Sequence, residues 1–321
     1  MVVINKFTGS GRLPSSSSQD RAQTGNLFPQ TILRIALLAC VACICSSNQI
    51  LAQAGQLDST FAMNGVFSDF SGFPGGSTRI ALQSDGKILV AAASGNPQLH
   101  TSGMALARLN ADGGLDSSFG TGGVVSFGLA HGVPTGVIVQ SDGKIVVGGT
   151  GTPNVDGSNE FALARFNTSG SVDTTFGSGG QVITSVFSEP TAGGAALVLQ
   201  PDQKFLMVGA NAIARYNTTG QLDNTFGSGG LAELPGFGAD AIGLQSDGKI
   251  LIASTTFAGN GILSRYNPNG SIDKSFGLFG TTGGVATAAA VVVQNDGKIV
   301  VGEAPRASCL ILRLQTSPAS L

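Results

Sequence analysis

Five aspartates recur through the chain, at positions 58, 116, 173, 223 and 273, in steps of 58, 57, 50 and 50 residues. Each is second in a Leu-Asp-x-x-Phe string, with Val172 and Ile272 replacing Leu in two copies. A carboxylate repeated in this way could ligate Ca²⁺, but that ion takes about six to eight oxygens. Each string offers one carboxylate, and no Asp-x-Asp-x-Asp-Gly loop accompanies it. The expected role of Asp58, Asp116, Asp173, Asp223 and Asp273 is therefore a turn that bonds its own backbone. Cations recur in phase with them. Arg108, Arg165, Arg215, Arg265 and Arg313 each precede Leu, Phe or Tyr, followed by Asn in four copies and Gln315 in the last. Gln-x-Asp-Gly-Lys ends at Lys87, Lys144, Lys249 and Lys298, and its third copy reads Gln200-Pro-Asp-Gln-Lys204. A charge that returns once per unit is expected to be a structural device, each Arg reaching the Asp of its own or a neighbouring unit.

Other chemistry is thinly represented. His100 and His131 have no second His or Cys at ligand spacing, and both are expected as exposed loop residues. Gly177–Gly180 and Gly227–Gly230 precede strands and lack Lys-Ser/Thr, so they are expected as turns rather than phosphate cradles. No catalytic residue, metal site or cofactor is expected. Residues 55–321 carry 13 Lys and Arg against 18 Asp and Glu, and ten of each belong to the repeats. This mild acidity without a basic patch argues against nucleic acid.

A self-similar period of this length marks an array of supersecondary units. In each unit a short apolar run, such as Val137–Gln140, ends in Asp-Gly, read as a two-residue hairpin with φ > 0 at both positions. A second run follows (Lys144–Gly149), then a third with the Arg (Phe161–Asn167), then a turn, Leu-Asp-x-x-Phe, a Gly cluster and a fourth run such as Val124–Phe127. Four strands per unit match one blade of a β-propeller, and continuous apolar runs fit strands buried on both faces. A β-solenoid is the rival architecture, but its repeat is usually shorter. The expected fold is all-β, a five-bladed propeller of four-stranded blades over 55–315, with a short tail, 316–321. The last blade lacks an outer strand and segment 57–70 has no blade of its own. That segment is expected to pair with the last blade and close the ring, removing an exposed edge.

The string Ala-Leu-Ala-Arg-x-Asn-x-x-Gly-x-x-Asp-x-x-Phe-Gly, with Gln-x-Asp-Gly-Lys upstream, resembles the delta-60 repeat family of bacterial proteins. The resemblance covers roughly Gly55–Gln315. It implies a secreted or surface protein of propeller-like fold and no particular activity. The absence of Trp argues against the Trp-Asp class of repeats.

Residues 1–54 differ in kind. Met1–Gln30 is polar and Ser-rich, Arg34 precedes the apolar stretch Ile35–Cys45, and Ala52-Gln53-Ala54 is a small-x-small cleavage site. This is the pattern of a secretory signal peptide with a long lead, cleaved after Ala54. A retained membrane anchor is the alternative, but the run is shorter than the roughly 20 residues that span a bilayer. A lipoprotein reading at Cys40 has too short an apolar stretch before it. Cys40, Cys43 and Cys45 would be removed, leaving Cys309 as a small buried hydrophobe. The mature chain is expected to be a monomer without a membrane span.

Connections of unequal length should gather at the end of the ring opposite the Asp-Gly turns, and variable loops on a rigid scaffold are where binding residues sit. His100, His131, Asp156, Glu160, Glu189 and Asp240 fall there and are the candidate ligand-binding residues. The expected function is a secreted or surface-associated, non-enzymatic protein that binds a protein or glycan. The alternatives are a hydrolase or lactonase with a metal at the central channel, and a passive surface or matrix component.

Overall fold

A computed structural model of the chain describes residues 57–68, 78–96, 101–128, 133–151, 160–186, 195–209, 212–234, 237–255, 260–278, 280–285, 288–303 and 310–314. The signal segment 1–54, residues 69–70 of the closing segment and the tail 316–321 lie outside the described residues. Every regular element among those described is a strand, and the strands form five antiparallel sheets.

The first sheet runs β1 (Thr78–Leu82), β2 (Ile88–Asn96), β3 (Thr101–Leu109) and β4 (Val124–Phe127). The second contains β5 (Val133–Val139), β6 (Ile145–Gly151), β7 (Glu160–Phe166) and β8 (Gln181–Ser185). The third has β9 (Ala195–Leu199), β10 (Phe205–Gly209), β11 (Ala212–Tyr216) and β12 (Leu231–Glu233). The fourth has β13 (Phe237–Leu244), β14 (Ile250–Thr255), β15 (Gly261–Tyr266) and β16 (Thr281–Val285). The fifth holds three strands: β17 (Ala288–Val293), β18 (Ile299–Glu303) and β19 (Leu310–Leu314). Strand order within each sheet follows the chain, so neighbours in sequence are neighbours in space.

The core lies between sheets. Leu89, Met104, Leu106 and Phe119 of the first unit pack with Ile145, Val147 and Phe166 of the second. Three further clusters fill the second-to-third, third-to-fourth and fourth-to-fifth seams. This explains the continuous apolar runs. β7, β10 and β11 are buried along their whole length because both faces meet another sheet. The first strands show which face meets which neighbour. Val137 and Val139 turn toward the first sheet while Ile138, 9% exposed, turns toward the third.

The two ends of the array have no such neighbour. Ile80 and Leu82 of β1 are each 72% exposed and Val292 of β17 is 60% exposed, although their counterparts in other sheets are covered. Among the described residues no strand pairs β19 on its far side. The part of the closing segment that is described, Leu57–Ser68, forms turns and isolated bridges from Ala62 and Met63 to Val66 rather than an outer strand.

The Asp-Gly turns differ from the expected type. Gly86 N–H donates to the Gln83 carbonyl at 3.0 Å and Gln83 N–H to the Lys87 carbonyl at 2.8 Å. In this turn only Gly86 has positive φ, +84°. The loop is therefore three residues with a left-handed third position, not a two-residue turn with two left-handed residues. Asp85 instead braces the turn through its side chain, its Oδ1 accepting the Lys87 N–H at 3.1 Å. In the third unit Gln203 occupies the glycine position at φ +65°. Its Oε1 accepts from Ser141 N–H and Oγ of the second unit, at 3.3 and 3.1 Å.

Candidate functional site

The repeated polar residues form one cluster per unit. In the first, Oδ1 of Asp116 accepts from Ser118 N–H at 3.1 Å and Ser118 Oγ at 2.6 Å. Its Oδ2 accepts from Lys87 Nζ at 2.8 Å and Arg108 Nε at 2.7 Å. The antiparallel pairing of β2 with β3 brings Lys87 and Arg108 side by side, and the Asn110–Gly114 turn folds the Asp back between them. The Arg108 guanidinium lies over the Phe119 ring, 4.5 Å from its centroid. Its Nη1 then leaves the unit and donates to the Thr168 carbonyl of the next at 2.5 Å.

The later units repeat this. Asp173 takes Lys144 and Arg165 at 2.9 and 2.7 Å, Asp223 takes Lys204 and Arg215 at 2.8 and 2.9 Å, and Asp273 takes Lys249 and Arg265 at 2.7 and 2.8 Å. In the third unit these contacts are ion pairs without hydrogen-bond alignment at Arg215 Nε and Asp223 Oδ2. Charge attraction survives such misalignment. Arg165 and Arg215 reach the Thr218 and Pro268 carbonyls of their successors at 2.6 and 2.5 Å. Phe176, Phe226 and Phe276 lie under the guanidiniums at 4.5–4.7 Å.

The electrostatics follow from this geometry. Lys87, then Ser118, hold Asp116 well below the usual carboxylate range, and Lys249 and Ser275 do the same for Asp273. At Asp173 and Asp223 burial alone would push the carboxyl up. The hydroxyl and ammonium donors outweigh it, and the net shift is again strongly downward. Each carboxylate is saturated by two cations on one oxygen and two turn donors on the other. A Ca²⁺ ion at Asp116, Asp173, Asp223 or Asp273 would have to displace a Lys and an Arg already within 3 Å.

The cluster also contains members that the sequence advertised but the motif left blank. The fourth residue of every Leu-Asp-x-x-Phe string is Ser or Thr: Thr60, Ser118, Thr175, Thr225 and Ser275. It donates twice to the Asp and, from Ser118 to Ser275, also accepts from the Arg Nη2.

The candidate binding residues are not gathered by the described structure. His100, His131, Asp156 and Glu189 lie outside the described residues. Asp240 is exposed on β13. Glu160 opens β7 and is 6% exposed, so it is buried rather than presented on a loop. Ser185 Oγ donates to its Oε1 at 3.2 Å, and its Oε2 has no partner among the described residues. Within each sheet, strand alternation puts the Asp-Gly and Asn-x-x-Gly turns at one end. The second-to-third-strand connections and the passage to the next sheet fall at the other.

An open groove of about 760 Å³ lies elsewhere, between β12 and the Tyr266–Ile272 segment, lined by Leu231, Ala232, Glu233 and Leu234. Tyr266 Oη donates across it to the Glu233 carbonyl at 2.7 Å.

Several solved structures are similar in outline. An aldose sugar dehydrogenase from Streptomyces coelicolor in its PQQ-bound form matches with 10% identity over 76% of this chain and 84% of that one, at a TM-score of 0.46. A gluconolactonase from Xanthomonas campestris matches with 16% identity over 73% and 70%, at 0.40. An α-L-arabinanase from Penicillium chrysogenum matches with 10% identity over 73% and 76%, at 0.42. At these scores the likenesses say nothing of what this chain does. No curated protein matches it. Residues 83–119, 140–176, 206–226 and 245–276 match the family model described as "Domain of unknown function (DUF5122) beta-propeller", so these stretches are similar to a propeller repeat.

Proposed function

We propose that this is a secreted or surface-associated, non-enzymatic binding protein built as a closed five-bladed ring of delta-60-type repeats. It takes a protein or glycan partner at the end that carries the unequal connections. The observation that carries this reading is the saturation of the repeated polar residues. The four sets centred on Asp116, Asp173, Asp223 and Asp273 are spent on holding their units together and, through Arg108, Arg165 and Arg215, on the units that follow. The residue types that could do chemistry at the turn end are therefore committed, and sequence freedom is left to the opposite end.

Ring closure is supported by the array's two bare faces. Ile80 and Leu82 on the first sheet and Val292 on the last are large, exposed and at positions covered in the inner seams. Withdrawing a large aliphatic side chain from water contributes about 1.5–3 kcal/mol, so the two faces have reason to meet.

Export is tested by expressing the full chain in a bacterial host and reading the N-terminus of the secreted product, which should begin at Gly55. Binding is tested on a glycan array and against candidate surface proteins. Replacing 152–159 and 187–194 with Gly-Ser segments should abolish retention without lowering the melting temperature. Retention unchanged by both replacements would overturn the assignment to this end.

A further inference from the structure

The two ends of the array carry the separated halves of one more polar cluster. Leu57–Val66 is already folded as the corresponding part of every other unit. Oδ1 of Asp58 accepts from Thr60 N–H at 2.9 Å and Thr60 Oγ1 at 2.6 Å. Gly65 N–H donates to the Phe61 carbonyl at 2.7 Å, as Gly123 does to Phe119 at 2.9 Å. Ala62 and Asn64 adopt φ of +45° and +53°, where the next unit has Gly120 and Gly122 at +56° and +61°. A left-handed alanine is costly, so this shape is imposed by the site rather than chosen by the residue.

The segment is also seated on the first sheet as each unit is seated on its successor. Ala62 N–H donates to the Asp112 carbonyl at 2.6 Å, the counterpart of Gly120 to Ser169 at 2.9 Å and Gly177 to Thr219 at 2.8 Å. Phe61 packs against the cluster of Val90, Ala107 and Leu109. One side of the junction is therefore complete.

The other side lacks its cations. Among the described residues Oδ2 of Asp58 has no partner, where the other four aspartates take a Lys and an Arg. The fifth sheet has the converse surplus. Arg313 is exposed and makes no hydrogen bond among the described residues, though its charge helps to hold the Asp296 carboxyl below its ordinary value. Lys298, whose counterparts reach across to an Asp-x-Ser/Thr turn, folds back on its own Asp296 at 2.5 Å.

We propose that the ring is latched by a fifth cluster assembled from its two ends: Asp58 receives Lys298 and Arg313, and Arg313 stacks on Phe61. This rests on the closed-ring reading above. Register follows from the other sheets. Ala107 pairs Val124, Ala164 pairs Gln181, Ala214 pairs Leu231 and Ser264 pairs Thr281. In each pair the first residue precedes the Arg and the second lies five beyond the Phe. The same rule pairs Leu312 with Val66 and aims Arg313 Nη1 at the Ala111 carbonyl, the place held by Thr168, Thr218 and Pro268. Arg108 N–H donates to the Gly123 carbonyl at 3.0 Å, which makes Ala107–Val124 a non-hydrogen-bonded pair. Such pairs bring Cβ atoms close, so cysteines placed at 312 and 66 would be bridged if the two ends pair in that register.

The test uses the full chain with its four cysteines replaced by serine and the pair V66C/L312C introduced. An intramolecular disulfide on mild oxidation is expected. An intermolecular one would place the segment on a second copy, and no disulfide would leave the ends apart; either result sinks the closed ring. The latch is read separately. D58N, K298Q and R313Q should each lower the rate of disulfide closure by about tenfold, in keeping with loss of a paired charge, and D58N/R313Q should fall no further than the worse single variant. S59A should leave it unchanged. A disulfide that still forms at the parental rate in D58N and R313Q would remove the latch while leaving the ring closed.

Discussion

Removing Arg165 cuts the bond inside a unit and the bond between units at once. Its Nε sits 2.7 Å from Asp173 Oδ2, its Nη1 donates to the Thr218 carbonyl at 2.6 Å, and its guanidinium lies 4.6 Å from the Phe176 centroid. Breaking a buried ion pair from one side costs about 3–5 kcal/mol because the remaining charge stays buried. Here Lys144 still holds Asp173 at 2.9 Å, which softens that term. The orphaned Thr218 carbonyl adds about 1–3 kcal/mol. Arg165→Met keeps the stem and loses the rest, so about 3–5 kcal/mol is expected overall. For a domain of this size each kcal/mol moves the melting temperature by about 2–4 °C, so calorimetry should show a fall of about 6–20 °C. Asp173→Leu alone strands both cations. The double variant R165M/D173L removes the whole pair and should cost clearly less than the sum of the singles. A single-variant loss below about 1 kcal/mol, or strict additivity in the double variant, would refute the reasoning, because the cluster would then be ornamental.

Acid should find the same weakness. Asp116, Asp173, Asp223 and Asp273 lie well below their ordinary value of 3.8 in the folded chain. A depressed carboxyl binds more protons unfolded than folded, so its contribution is fully present above about pH 5 and lost as pH falls through 4 toward the folded value. Melting temperature against pH should be flat on the neutral side and drop below about pH 4, with a shallower drop in Asp173→Asn. Gly170→Ala should cost about 2–4 kcal/mol in urea unfolding. Its φ is +87°, and an added Cβ would lie 2.9 Å from Gly120 N at the junction. Gly179→Ala, at φ +62° with nothing near its Cβ, should cost only about 1 kcal/mol. Ala62→Gly removes a left-handed alanine and should raise the melting temperature, by about 0.5–1 kcal/mol in stability terms.

Strands and their order were legible because they rest on local pattern. Each apolar run between Asp-Gly and Arg became a strand paired to its neighbour in the chain. Junctions between units were not legible, because Arg108 meeting the Thr168 carbonyl depends on how two sheets stack. The Asp-Gly turn departs from its sequence pattern for a local reason: the pair suits a two-residue hairpin, but Asp85 here spends its carboxylate on Lys87 N–H and leaves the left-handed position to Gly86 alone. The constant Ser or Thr after Asp was visible as Thr60, Ser118, Thr175, Thr225 and Ser275, and only the cluster gives it a role. Glu160 read as a loop residue because Gly, Asn and Ser precede it, whereas the strand already begins there and buries it.

The uneven spacing of the repeats has a definite location in the fold. From Arg to Asp the separation is eight residues in the first, second and fourth units. From Lys to Asp it is 29 in the first and 24 in the fourth. Length therefore varies between Lys and Arg, across the second strand, the third strand and the connection they share, and also from each Asp to the next Lys (29, 28, 31, 26 and 25 residues), across the passage to the next sheet. β2 and β3 have nine residues each and β6 and β7 seven, against five for β10 and β11. The turn end cannot absorb such changes, because an Arg must meet a carbonyl of the next unit at a fixed distance. The opposite end can, since an added pair of residues only lengthens a hairpin beyond the seam. Those hairpins are tallest on the first and second sheets and shortest on the third. Any surface built there is lopsided even though the scaffold beneath it repeats.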